Sequence, residues 1–169
     1  MSGGAGPVTV RLAGPDDLAA VAVIENLCFG DPWSLSALLS ELEPDPMRLP
    51  LAAESGGQVV GFLMAWLVAD QLHVLNIAAD PHWRRRGVGT ALLREAARRG
   101  RALGLVEATL EVRRGNTGGR AFYQRHGFHE TGVRKRYYAD NGEDAIILDC
   151  DLDDQADGGD PPPAIIEGL

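Results

Sequence analysis

A seven-residue loop constrains this chain more than any other feature. Arg84-Arg85-Arg86-Gly87-Val88-Gly89-Thr90 joins an apolar stretch, Leu72 to Ala79, which ends at Asp80-Pro81, to an amphipathic stretch running from Gly89 to Arg99. The first reads as a strand stopped by proline. In the second, Ala91, Leu92 and Ala96 separate from Arg94, Arg98 and Arg99 onto two faces, which reads as a helix with Gly100 as its stop. Gly-x-Gly at the mouth of a helix leaves backbone N–H groups unpaired at the positive end of the dipole, with no side chains in the way. Such a place suits a phosphate. The spacing excludes two nucleotide folds. A P-loop needs four residues between its glycines and then Lys with Ser or Thr, and a dinucleotide fingerprint needs a third glycine; Thr90 to Leu93 supply neither. Of the three arginines, Arg85 reads equally well as solvated charge.

Around this loop the pattern alternates. Val8 to Leu12 reads as a strand, and Gly14-Pro15-Asp16-Asp17 as a turn with a helix N-cap ahead of Leu18, Val21, Ile24 and Cys28. Ser34 can cap a second helix that runs through Glu43 and is ended by Pro44 and Pro46. Leu49 to Glu54 and Val59 to Val68 form a hairpin around Ser55-Gly56-Gly57-Gln58. Past the central helix come a strand from Leu105 to Val112 and a helix capped by Asn116 and closed by Gly127. Two strands follow, Thr131 to Ala139 and Ala145 to Leu152, joined through Asn141-Gly142. No internal repeat is present. Residues 1–6 are expected to be a flexible start, 7–153 one domain, and 154–169 an acidic tail rich in Gly and Pro.

The formal charge of -8 would disfavour nucleic acid, but much of it lies in the tail. From Asp149 to Glu167 seven acids meet no Lys or Arg; the rest of the chain carries 17 acids against 16 bases. Neither nucleic acid nor a membrane is expected as a partner, since no stretch approaches the roughly 18 apolar residues of a spanning helix. Two cysteines, Cys28 and Cys150, cannot form a disulfide scaffold and read as buried thiols, and no signal peptide is visible; a cytoplasmic protein is expected. His73, His82, His126 and His129 lack metal-ligand spacing, so no metal is expected.

Arg84-x-x-Gly87-x-Gly89 after a strand and Asp80-Pro81 resembles the pyrophosphate loop of the GCN5-related N-acetyltransferase (GNAT) superfamily. Asn76-Ile77-Ala78, Leu110-Glu111-Val112-Arg113, Asn116, Ala121-Phe122-Tyr123, Gly127-Phe128, and Tyr137-Tyr138 through Glu143-Asp144-Ala145 extend the resemblance. They point to the branch that acetylates protein N-termini, and within it to the bacterial enzymes that act on the N-terminal alanine of ribosomal protein S18. The resemblance covers roughly Val8 to Leu152. It implies an α+β fold: a mixed, mostly antiparallel central sheet of about seven strands, splayed at its centre and flanked by about four helices. It implies acetyl-CoA as co-substrate, a protein N-terminus as acceptor, and a monomer or weak dimer.

Site residues follow from the same resemblance. An α-amine with a pKa of about 7.7 to 8.0 must lose a proton before it attacks a thioester, so a base is needed. Glu111 takes that role, with Glu107 on the same strand face as a competitor, and Tyr123 is the acid for the departing thiolate. Acetyl-CoA would be held by Ile77, Ala78 and Ala79 of the splayed strand, by Arg84, Arg85, Arg86, Gly87, Val88, Gly89 and Thr90 of the loop, and by Asn116, which equally reads as a plain N-cap. Glu25, Trp33, Tyr137 and Tyr138 lie on segments that line the acceptor cleft, or else are packing. Gly118-Gly119 departs from the family pattern, where helix formers would stand. Two alternatives remain open: acetylation of a small amine such as a polyamine or aminoglycoside, and a non-catalytic CoA-binding module.

Overall fold

The computed structural model describes residues 6–155, without the side chains of 154 and 155. The expectations for the start and the tail fall mainly on 1–5 and 156–169, outside the described residues. Seven strands, β1 (Thr9–Leu12), β2 (Arg48–Ser55), β3 (Gln58–Val68), β4 (Gln71–Ala79), β5 (Glu107–Arg113), β6 (His129–Arg134) and β7 (Ala145–Asp151), form one sheet in the order β1-β2-β3-β4-β5-β7-β6. All neighbours run antiparallel except β4 and β5. The helices are α1 (Leu18–Cys28), α2 (Leu35–Leu42), α3 (Val88–Ala102) and α4 (Thr117–Arg125), and the mixed fold is the expected one. Among the described residues no helix is long and apolar enough to cross a membrane.

Alternation along the strands gives the sheet two cores. Phe62 and Met64 of β3 join Ala78 of β4 beneath Val21, Ile24, Leu38 and Leu42 of α1 and α2. Leu63 and Ala65 face the other way, and with Val74, Ile77, Leu110 and Leu148 they meet Leu92, Leu93, Ala96, Phe122 and Phe128 around α3 and α4. Each fully buried Leu or Ile contributes about 1.5–3 kcal/mol. Gly61 decides how close α3 comes: a Cβ there would stand 2.5 Å from a Val88 methyl and 2.9 Å from the Ala78 carbonyl. Absence of a side chain on β3 lets the first turn of α3 rest on the strand.

Several ends differ from the reading of the sequence. Gly100 does not stop α3. It is buried inside the last turn, where a Cβ would meet Leu152 at 3.2 Å, and the helix ends at Ala102 with Gly104 left-handed beyond it. Leu105 N–H then bonds the Gly100 carbonyl and Gly104 N–H that of Arg101, the paired bonds of a Schellman cap. Ser34 caps α2 as expected, accepting from Ala37 N–H at 3.2 Å. At α1 the anticipated cap differs. A 3-10 turn, Pro15–Asp17, precedes the helix, and the Asp17 carboxylate reaches back to Gly14 N–H and to Arg11 of β1. The largest difference is β6, which ends at Arg134. Arg136 turns left-handed, its N–H donates to Asp144, and Lys135 to Asp144 becomes a folded loop rather than a strand through Ala139.

The centre of the sheet forks. The β3–β4 register jumps from Met64↔Asn76 to Ala65↔Val74, leaving Leu75 as an extra residue in β4. On its other edge β4 pairs with β5 only as far as Val74↔Leu110. From Leu75 onward that edge meets no strand among the described residues.

Candidate active site

The fork opens into a cleft of about 300 Å³ lined by Val74 to Ile77, Leu110 to Arg113, Asn116, Tyr123 and Tyr138, with Glu25, Phe29, Gly30, Asp31 and Trp33 as the opposite wall. Both residues expected to carry the chemistry lie in it. Glu111 extends from β5 on the face away from α3 and α4. One carboxylate oxygen, Oε2, is 2.7 Å from His73 Nε2 of β4, and the other, Oε1, is 3.3 Å from Arg134 Nε of β6. The His73 hydrogen bond holds its pKa below the ordinary glutamate range, against the pull of burial and with the charges of His73 and Arg134 adding to it. Glu111 is therefore ionised. Glu107, its competitor, lies outside the cleft beside Gln71, and burial with Asp149 and Asp70 nearby raises its pKa.

Tyr123 is placed by the opposite means. It sits in α4 with its ring edge-on to Phe122 and Phe128 at 5.3 and 5.6 Å, and only 7% of the residue is exposed. Burial pushes its phenol well above the ordinary range, so it stays protonated. The helix that carries it begins where Asn116 Oδ1 accepts from Gly119 N–H at 2.9 Å. Gly119 is bare because Asn116 folds over it: a Cβ would meet the amide group at 2.6 Å. At Gly119 the departure thus accommodates the cap, and Asn116 both caps α4 and lines the cleft. Gly127 ends the helix left-handed, as expected, with Phe128 N–H bonded to the Tyr123 carbonyl.

The acceptor-side residues divide. Glu25 is 1% exposed; Oε1 accepts from Trp33 N–H at 3.0 Å and Oε2 from Asn76 Nδ2 at 2.7 Å, so it pins the α1–α2 loop to β4, and burial raises its pKa. Trp33 and Tyr138 line the cleft, whereas Tyr137 is 49% exposed and meets the Tyr138 ring edge-on outside it. Arg113 was not singled out in the sequence as a support. It binds Asp140, Asn141 and Glu143 and places its guanidinium 3.9 Å from the Tyr138 ring centroid, stapling the β6–β7 loop to the end of β5. His73 was considered only as a metal ligand. Period-two alternation puts it on one face of β4, but only the strand order shows which residue it meets.

Past the fork, Ile77, Ala78 and Ala79 are buried in the two cores, and their main chain forms the free edge of β4. The loop follows, outside the cleft lining. Asp80 caps a short turn, Arg85 and Gly87 are left-handed, and α3 starts at Val88 with Val88 and Gly89 buried. Arg86 lies over Trp83, its guanidinium carbon 4.9 Å from the ring centroid. Thr90 is 3.1 Å from Nε2 of His126, whose Nδ1 faces the Phe122 carbonyl at 2.8 Å. A carbonyl only accepts, so Nδ1 carries the proton and the Thr90 hydroxyl donates to Nε2. Arg84 Nε is the one buried side-chain polar atom among the described residues without a hydrogen-bond partner. An open donor beside a helix N-terminus, reached along an unpaired strand edge, fits the diphosphate and amide-bearing arm of acetyl-CoA.

Comparison with known proteins agrees. Residues 18–128 match the acetyltransferase (GNAT) family. The chain is 34% identical over 134 residues to the ribosomal protein bS18-alanine N-acetyltransferase of Escherichia coli K12, covering 78% of this chain and 89% of that one. It is 34% identical over 161 residues to the N-alpha-acetyltransferase RimI of Mycobacterium tuberculosis, covering 92% and 96%. The crystal structure of the Escherichia coli ribosomal-protein-S18-alanine N-acetyltransferase superposes with a TM-score of 0.79 at 31% identity, over 86% of this chain and 94% of that one. With a forked sheet, a left-handed loop leading from β4 into the N-terminus of α3 and a cleft at the fork, this chain belongs to the GNAT family and is an acetyl-CoA-dependent acyltransferase.

Proposed function

We propose that this protein acetylates the α-amine of a protein N-terminus, with the N-terminal alanine of ribosomal protein S18 as its substrate. The observation that carries the reading is the cleft at the fork, where an ionised Glu111 and a protonated Tyr123 line one space between the α1–α2 loop and the β6–β7 loop. Relatives named as S18-alanine and α-amine acetyltransferases, each covered over most of its length, support the choice of acceptor.

Acetyl-CoA supplies the activated acyl group and a thiolate leaving group. Arg84 to Thr90 hold its diphosphate through backbone N–H groups and the Arg84 side chain, and the free edge of β4 at Ile77 to Ala79 offers main-chain partners along its arm. The acceptor enters from the opposite wall, bounded by Trp33 and Tyr138. Its amine arrives largely protonated, because its pKa lies near 8, and a base must take one proton. Glu111 takes it through a bridging water. Its carboxylate is a weaker base than the amine, so the transfer is an uphill step completed by passing the proton on to solvent. The neutral amine attacks the thioester carbonyl, its C–N bond forming as the C–S bond breaks; Tyr123, held neutral by burial, donates its proton to sulfur, and the second proton shed by the acylated nitrogen restores the phenol. Glu25 keeps the α1–α2 wall in place without entering the chemistry.

The test is to incubate the protein with acetyl-CoA and peptides that differ at residue one, including the S18 N-terminus, alongside spermidine and an aminoglycoside. Thiol release and product mass are followed. Acetyl confined to the α-amine of the alanine peptide is expected; acetylation of the small amines alone overturns the reading.

A further inference from the structure

The helix at the donor loop and the helix that carries Tyr123 meet at one buried histidine. Thr90 is the third residue of α3, and Ala91 N–H bonds the Gly87 carbonyl at 2.9 Å. The amides of Val88, Gly89 and Thr90 therefore precede the intrahelical ladder and are the donors that a diphosphate can use. A threonine hydroxyl in a first turn competes for such N–H groups. Here it is committed elsewhere, donating to His126 Nε2 at 3.1 Å. His126 directly follows α4: its main-chain N–H bonds the Tyr123 carbonyl at 3.0 Å, its Nδ1–H bonds the Phe122 carbonyl at 2.8 Å, and its ring lies 4.3 Å from that of Phe122. Cys150 of β7 donates its thiol to the His126 carbonyl at 3.7 Å. Burial lowers the His126 pKa, against the Phe122 hydrogen bond and with the charges of Arg94 of α3 and Arg125 of α4 adding to burial. The ring is thus neutral at pH 7 and keeps Nε2 as an acceptor.

We propose that His126 is a positioning residue for the acetyl-CoA site: by holding the Thr90 hydroxyl it leaves the first-turn amides of α3 to the diphosphate, and by holding the Phe122 carbonyl it fixes that turn to the helix carrying Tyr123. This inference rests on the diphosphate role proposed for Arg84 to Thr90. The diphosphate and the thioester sulfur belong to one molecule, so a shift of α3 against α4 changes where the sulfur arrives relative to the Tyr123 phenol. His126 itself touches neither end of the donor; it acts through Thr90 on one side and through α4 on the other.

The experiment is steady-state kinetics on the full chain with two donors, acetyl-CoA and acetyl-pantetheine, which carries the same thioester without the diphosphate. Thr90→Val removes the hydroxyl and keeps the volume, His126→Leu removes the acceptor, and His126→Gln keeps an oxygen to accept from Thr90. Thr90→Val and His126→Leu are each expected to raise the acetyl-CoA KM about fivefold and lower kcat about threefold, with the acceptor KM unchanged. The double variant should be no worse than the worse single one, and His126→Gln should lie within about twofold of wild type. With acetyl-pantetheine the KM of every variant should match that of wild type. Single effects that multiply in the double variant, or a KM raised alike for both donors, overturn the proposal. Thermal midpoints identify a folding defect, and should His126→Leu fail to fold, Thr90→Val on the two donors decides alone. A wild type with equal KM for both donors removes the loop from diphosphate binding, and the inference falls with it. A wild type that prefers acetyl-CoA, with variants that do not differ from it, overturns the inference and leaves the loop reading standing.

Discussion

At the donor end of the site the protein presents backbone. Arg85 and Gly87 turn left-handed, α3 opens at Val88, and one edge of β4 is left unpaired. At the acceptor end it presents side chains holding loops: Glu25 between Trp33 and Asn76, Arg113 between Asp140 and Glu143, and His73 on Glu111. The difference follows from what each end must bind. A diphosphate is the same in every turnover, and main-chain N–H groups at a helix mouth suit it whatever the neighbouring side chains are. An acceptor varies from one family member to another, and loops pinned by a few ion pairs can be reshaped by changing those pairs. Under the proposed function, donor recognition is thus built into the fold, and acceptor recognition is laid over it.

The largest expected effect comes where the two ends meet. Glu111→Gln should lower kcat by about 10²–10⁴ at neutral pH, with a smaller loss as alkaline pH deprotonates the amine. Initial rates across that range check it, and a pH-independent loss removes Glu111 from the base role. A crossed pair of variants then separates the halves. Gly61→Val drives a methyl into Val88 and the Ala78 carbonyl, so it should raise the acetyl-CoA KM about tenfold and cost about 1–3 kcal/mol of stability. Arg113→Ala frees the β6–β7 loop and should raise the peptide KM a few-fold with the acetyl-CoA KM unchanged. If each variant moved both constants equally, the division into halves would be wrong.

The smallest effect lies outside the site. Arg98 and then Arg99 pull the Glu95 carboxyl down to about 2. A group with a lowered folded-state pKa stabilises the protein above its unfolded value, about 4.3, and loses that contribution as pH falls towards the folded value. Urea midpoints should therefore drop between about pH 4.3 and 2, by less in Glu95→Gln. The contribution is modest because Arg98 is exposed to solvent.

The backbone half was the more legible of the two in the sequence. Gly87, Gly89 and the helix after them follow from local rules, since a left-handed turn and a dipole need only neighbouring residues. Ser34, Asn116 and Gly127 were readable for the same reason. Interactions across the sheet were not. His73 lies 38 residues from Glu111 along the chain, and their contact depends on β4 and β5 being parallel neighbours whose ladder stops one residue past His73. Nor does the sequence show that Gly61 must be bare, since Val88 and the Ala78 carbonyl reach it only across the fold. The extent of β6 was misread because Tyr137 and Tyr138 suit a strand, yet the anchors at Asp144, Glu143 and Arg113 fold that stretch into a loop.

The strand order has a consequence for how the enzyme comes into being. Among the described strands β7 is the last along the chain, yet it lies between β5 and β6, and β6 pairs only with β7. Until residues 145–151 have been synthesised and inserted, Arg134 and Tyr138 have no sheet to fix them opposite Glu111. The loop from β4 into α3 is complete much earlier in translation than that wall. The wall around Glu111 therefore waits on the last of the described strands, a delay that follows from its non-local pairing.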